Sequence, residues 1–464
     1  MPILGNIKLF FYGGSMKRSL LTVLIVVLAL TSIVPVFAQD EKTDIPVWIA
    51  FTDNRLDWAQ ERAAEFNELF PQYNVIVEGY PNYEDLLTSA RLAFEQQNAP
   101  AIVQYFEAAT RDAIDAEYNG TPRFKNIEAT LEGIEEINGL EVNLDKFVPA
   151  AANYYTVDGQ LASFPWNTSS AIMFANQSLV DAAGIEIPTT WEEVEAACEA
   201  IATLENAPTN CITWPNHGWF FEQPLAQQGA DMVNNGNGRD DRATEVYITS
   251  DAGVAFVQWW KDMADKGHYV YTGQQRDWTG TYNLFIQQEV AFVIYSSSDT
   301  TAFTNDAREA GFEATAAFFP YNQETGYHGN LIGGASLWLS NNLDAAVEEG
   351  ALTFLLWFTN AENDASWHRL TGYIPVTQPG LDLLEAEGWF DENPNSRVAS
   401  EQLAASPDSS ATRGAIVGNF PIIRDQVTEA IEDILVNDVD VVERLTEAQE
   451  EAQAILEDYN ADLE

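Results

Sequence analysis

The chain has 464 residues, 71 Asp plus Glu against 22 Lys plus Arg, a net charge of −49 and 46% hydrophobic residues. An aromatic content of 12% excludes a disordered chain, and this length divides into two or three cores rather than one. The charge repels nucleic acid and anionic lipid, and two cysteines are too few for a disulfide scaffold or a multi-cysteine metal site.

Lys17 and Arg18 precede an apolar run from Ser19 to Ala38, with Val36 and Ala38 at the −3 and −1 positions of a cleavage before Gln39. Residues 1–38 therefore read as a secretory signal, with Met16 as an alternative start and an uncleaved anchor as the competing reading. The exported chain is expected in the periplasm or at the outer face of the cytoplasmic membrane. No cysteine stands at the junction to take a lipid.

Residues 45–51 predict a buried strand, and 55–70 an amphipathic helix with Leu56, Ala59, Ala63, Phe66 and Phe70 on one face. A strand over 73–80, a helix over 83–97, a strand over 101–106 and a helix near 110–117 follow. This alternation predicts an α/β unit with a largely parallel sheet. Ligands of such sheets collect beyond the carboxyl ends of the strands, which makes Glu107 a candidate contact. A second α/β region begins near 166, where the polar patch Asn167–Ser170 leads into an apolar strand. Thr190 and Glu193 announce a capped helix over 189–204. Tryptophan-rich pieces at 214–229 and 257–270 precede a strand at 290–303 that ends in a serine cluster. Residues 331–340 read as a strand, 345–359 as a helix, and about 421–433 and 440–458 as the last helices. Val441, Leu445, Ala448 and Ala452 make the apolar stripe of the final one.

The segments GNLIGGASLWLS (329–340), DASWHRLTGYIPVT (364–377) and GNFPIIRDQVTEAIE (418–432) resemble the extracellular solute-binding proteins of ABC importers, in particular those for glycerol-3-phosphate and glycerophosphodiesters. The resemblance covers nearly the whole exported chain. It implies a two-lobed periplasmic-binding-protein fold of type II, with a multi-strand hinge around a ligand cleft. Lobe 1 would hold 44–165 and 329–377, and lobe 2 would hold 166–328 and 378–462. It also implies a monomer that closes on a small solute and docks to membrane permease subunits. The implied ligand contacts are Tyr83, Glu107, Ser169, Ser296, Gly334, Tyr373 and Arg424. Two tryptophans near the headgroup belong to that pattern. Trp219 matches one, and the other is missing unless Trp214 reaches in from a shifted loop.

The residue chemistry suits a phosphate ester. The Arg424 guanidinium can hold two phosphate oxygens bidentately, near the first turn of a helix whose amides add to it. Glu107 suits polyol hydroxyls, at the glycerol end and away from the anion. Tyr83 and Tyr373 offer a hydroxyl and an apolar face, Ser169 and Ser296 small donors, and Gly334 close backbone approach. Each has a plainer alternative: a surface ion pair for Arg424, a helix-start acid for Glu107, core aromatics for the tyrosines, turn residues for the serines and glycine.

Cys198 and Cys211 suggest a local disulfide in an exported chain, with two buried thiols as the alternative. The histidines at 217, 268, 328 and 368 are scattered, so no metal or other cofactor is expected. No nucleophile elbow or phosphate loop is present, which points away from an enzyme. The expected function is capture of glycerol-3-phosphate or a glycerophosphodiester for an importer. A sugar or oligosaccharide binder of the same fold is the first alternative, and a secreted glycoside hydrolase the second. Sequence spacing nominates no carboxylate pair for hydrolysis.

Overall fold

The computed structural model describes residues 42–463, and the signal expected at 1–38 lies outside them. The chain opens with β1 (Thr43–Ile49), whose Ile45, Val47 and Ile49 point to the core, and α1 (Asn54–Leu69), capped by the Asp53 carboxylate on the Arg55 amide. Trp58, Ala59, Ala63 and Phe66 are the buried stripe of α1. Then come β2 (Tyr73–Gly79), α2 (Tyr83–Glu95), β3 (Ile102–Phe106), a one-turn 3₁₀ segment (Glu107–Ala109), α3 (Thr110–Asp115) and α4 (Pro149–Tyr155). All five residues of β3 are buried, as a strand covered on both faces requires.

β4 (Phe164–Ser169) and β5 (Ala171–Asn176) are separated by Ser170 alone and lie in different sheets. α5 (Trp191–Ile201) follows, its Thr190 hydroxyl accepting from the Glu193 amide at 3.2 Å. The Glu193 carboxylate turns back to the Thr189 amide at 2.8 Å, one residue earlier than a strict capping box. Next are β6 (Ile212–Thr213), α6 (Gly218–Gln227), α7 (Asp251–Asp265), α8 (Trp278–Ile286), β7 (Phe292–Ser296), α9 (Thr300–Glu309) and β8 (Ala314–Phe318). The chain then returns through β9 (Gly333–Leu339), α10 (Ala345–Phe358) and α11 (Ala361–Thr371), and ends with α12 (Phe420–Asn437) and α13 (Val441–Ala461). Val441, Leu445, Ala448 and Ala452 of α13 are buried, as their spacing predicts.

Two mixed sheets form two lobes. The first has the order β4-β9-β3-β1-β2 and the second β6-β7-β5-β8. The expectation of a largely parallel sheet holds for β1, β2 and β3 only. β9 runs antiparallel to both β3 and β4, because it returns from the second sheet in the reverse direction. In the second sheet only β6 and β7 are parallel. The chain crosses between sheets at Ser170 and again between β8 and β9, and Ile374 is tied to Thr168 by a 2.7 Å backbone bond. A Cys198–Cys211 disulfide, Cα to Cα 5.4 Å, fastens α5 to the segment entering β6. That resolves the pairing the sequence left open.

Candidate ligand-binding cleft

A cavity of about 840 Å³ lies between the sheets. Tyr83, Glu107, Ser169, Trp219, Ser296, Gly334, Tyr373 and Arg424 all line it, although they come from segments spread over 342 positions of sequence, from 83 to 424. The topology explains the meeting. Glu107 follows β3, Ser169 ends β4, Ser296 ends β7 and Gly334 begins β9, so strand ends of both sheets face one space.

Helix starts face it too. α1 brings Arg55, α2 brings Tyr83 and Glu84, α6 brings His217 and Trp219, α8 brings Trp278 and Thr279, and the serine turn before α9 brings Ser296, Ser298 and Asp299. Each helix start carries about half a positive charge, and a capping side chain, Asp53, Asn82, His217, Asp277 or Ser296, already takes one amide at each. Three of the 22 basic residues of this acidic chain, Arg55, Arg276 and Arg424, line the cavity, together with the carboxylates of Glu84, Glu107, Asp299 and Asp306.

Tyr83 is oriented by a buried relay. The Gln104 side chain accepts from the Ala50 amide at 2.6 Å and donates to Asn167 at 2.8 Å, and Asn167 donates to the Tyr83 hydroxyl at 2.9 Å. Because the hydroxyl oxygen already accepts, its proton is free to donate into the cavity. The ring stacks on Phe106 with centroids 5.0 Å apart. Tyr373 stacks on Trp367 at 5.5 Å, and its carbonyl accepts from His368 Nδ1 at 2.8 Å. Burial holds both phenols above the usual tyrosine range, so both stay protonated donors. Gly334 has φ +106°, and a Cβ there would sit 1.8 Å from the Asn167 carbonyl oxygen. The missing side chain thus serves the approach of β9 to β4, besides opening the wall.

Arg424 and Glu107 differ from expectation. The guanidinium, 4% exposed, is not free for a ligand's oxygens on all edges. Its Nε and Nη2 grip the Glu222 carboxylate, Nη2 at 3.0 Å, and Nη1 donates to Glu107 at 2.9 Å. Glu107 is therefore beside Arg424 and not at a separate end of the cavity. Burial pushes Glu107 up, against the lowering pull of Arg424, and pushes Glu222 up to about 7 with Glu107 adding to it. Burial would lower the Arg424 pKa, but the two carboxylates raise it above the usual arginine value. Chemically the pair Arg424 and Glu107 is a donor beside an acceptor, suited to hydroxyl groups.

Glu222 is a functional neighbour the sequence reading missed, as are Arg55, Arg276, Trp278, Gln104 and Asn167. Arg55 is clamped on Asp53 at 2.9 Å and stands over the Phe51 ring. Arg276 lines the cavity, bonded to Asp425 of α12 and 3.8 Å from Glu84 of α2. Trp219 covers Gly333, where a Cβ would meet its ring at 2.5 Å. Trp214 does not reach the cavity: it is buried against Trp259, Trp260 and Tyr269. The second indole on the cavity wall is Trp278, packed against His217, Phe220 and Tyr295. Burial first, then Arg424 and Arg276, keep His217 neutral, so that its Nδ1 accepts from the Trp219 amide at 3.0 Å.

Residues 61–395 match the family of bacterial extracellular solute-binding proteins. The chain is 29% identical over 425 residues to the sn-glycerol-3-phosphate-binding periplasmic protein UgpB of Pectobacterium atrosepticum, covering 89% of this chain and 91% of that protein. The UgpB protein of Salmonella typhimurium is 29% identical over 403 residues, with 84% and 87% covered. In structure it is similar to UgpB of Mycobacterium tuberculosis in complex with glycerophosphocholine, with a TM-score of 0.73, 19% identity, and 90% and 99% of the two chains covered. The GacH receptor of Streptomyces glaucescens superposes equally, with a TM-score of 0.73 at 17% identity, and 90% and 99% covered.

Proposed function

The chain belongs to the bacterial extracellular solute-binding proteins, and from that premise we propose that it captures glycerol-3-phosphate or a glycerophosphodiester outside the cytoplasmic membrane and hands it to an ABC importer. The observation that carries this reading is the pairing, in one cavity, of a hydroxyl-reading Arg424–Glu107 couple with a wall of hydroxyls and helix starts. The glycerol hydroxyls engage Arg424 and Glu107. The phosphate rests on Ser169, Ser296, Tyr83 and Tyr373, where amides and helix dipoles favour an anion without a lysine. Trp219 and Trp278 flank a headgroup. This assignment puts the polyol, in place of the phosphate, at Arg424, because Glu222 already occupies the side edge of that guanidinium.

Capture requires no covalent step. The ligand touches groups from both sheets, so it binds the closed arrangement better and shifts the population toward it. The permease then receives the closed, loaded protein, acting as a monomer.

Calorimetry with the exported chain tests the reading: one-to-one binding of glycerol-3-phosphate or glycerophosphocholine is expected. Silence with both, together with tight binding of a maltose-type sugar, transfers the reading to a sugar binder. That second reading is favoured by the cavity's size, about 840 Å³, and by its aromatic walls.

A further inference from the structure

We infer that Glu222 makes ligand capture proton-linked: with Glu107 it leaves the buried cluster at Arg424 one negative charge in excess, which a proton neutralises when an anionic ligand enters. The inference rests on the phosphoester reading. Two carboxylates and one guanidinium, all with side chains at most 5% exposed, share this place. Glu222 does not line the cavity. It lies behind Arg424, as a positioning residue that fixes both the direction and the net charge of the group the ligand meets.

Among the described residues, the groups around the cluster supply no second cation in contact with it. From α12 comes Arg424 itself, from the turn after β3 Glu107, and from α4 Tyr154, a phenol that burial keeps neutral. His217 at the start of α6 faces Arg424 and Arg276 and is neutral. Arg239 lies beyond the Tyr154 ring, 5.2 Å from its centroid, and donates to backbone carbonyls. The excess charge is thus compensated in only two ways, by separation or by a proton. An acid that burial already lifts to about 7 takes that proton near neutrality. A phosphate held beyond the polyol, in a space it empties of water, raises the acid further through the low-dielectric interior. Binding therefore draws a proton in.

The test is titration calorimetry of the exported chain with glycerophosphocholine, whose diester does not titrate near neutrality, in two buffers of different ionisation enthalpy. About half a proton taken up per ligand is expected at pH 7, with affinity about five- to tenfold weaker at pH 8.5 than at pH 6. Glu222→Gln should cut the uptake to under a quarter of the wild-type value and flatten the affinity profile, which a merely structural role would not do. Binding without proton exchange, or with release, overturns the inference, as does undiminished uptake in the variant. The wild-type measurement needs no variant to fold. Absence of binding in both buffers instead overturns the phosphoester reading beneath it.

Discussion

Arg424→Ala strands two acids. Glu107 and Glu222, with side chains 5% and 4% exposed, then face each other with no cation between them. Removing one partner of a buried ion pair costs about 3–5 kcal/mol, and here one guanidinium serves two carboxylates through three hydrogen bonds. The loss depends on pH, because a stranded acid escapes by taking a proton. Burial pushes Glu222 up to about 7 even beside Arg424, and both acids move higher without it. A folded-state pKa raised further means stability lost as pH rises, at about 1.4 kcal/mol per unit and per proton retained. The variant should therefore lose at least about 1.4 kcal/mol more at pH 8 than at pH 5.5. Urea unfolding followed by tryptophan emission at the two pH values measures this. A loss under about 1 kcal/mol at pH 8, or equal losses at both, would refute the reasoning.

Burial raises Asp112 and Asp364 to about 6 and Glu222 to about 7, so the stability they contribute at pH 4 is lost as pH rises through 6–7. Burial keeps His217 and His368 neutral and acts the opposite way over the same range, so the test is a difference: Asp364→Asn should make the change in melting temperature from pH 5 to pH 8 more favourable than in the wild type, and an unchanged difference contradicts this. Gly334→Ala places a Cβ 1.8 Å from the Asn167 carbonyl at φ +106° and should cost about 3 kcal/mol or more; an unchanged melting curve would show that β9 has room to move. Reducing the Cys198–Cys211 bridge, which closes a loop of sequence separation 13, should cost about 3 kcal/mol. Denaturant midpoints that coincide with and without reductant would exclude that contribution.

Much of this arrangement is legible in the sequence where periodicity is strong. The helices at 54–69 and 83–95 and the strand between them lie within about two residues of their expected bounds, since each buries one face. The stretch 164–176 is harder. Every residue of β4 and β5 is buried, so no alternation marks where one strand ends and its neighbour in another sheet begins. The patch at Asn167–Ser170 looked like a prelude to a strand, and it is mostly strand. At the site, the motif residues reach one cavity, but their mutual contacts were not readable. Glu222 meets Arg424 across 202 positions and, within Phe220–Gln223, has the look of any helix acid. Trp278 belongs to no recognised segment, and only the folding of α8 against β7 brings its ring to the wall.

The ring of helix beginnings around the cavity has an evolutionary corollary. Attraction for anions is written there in peptide orientation, a property that point substitutions on the exterior leave untouched. The acidity of the outer face therefore leaves in place the positive end-charge that the helix starts present to the cavity.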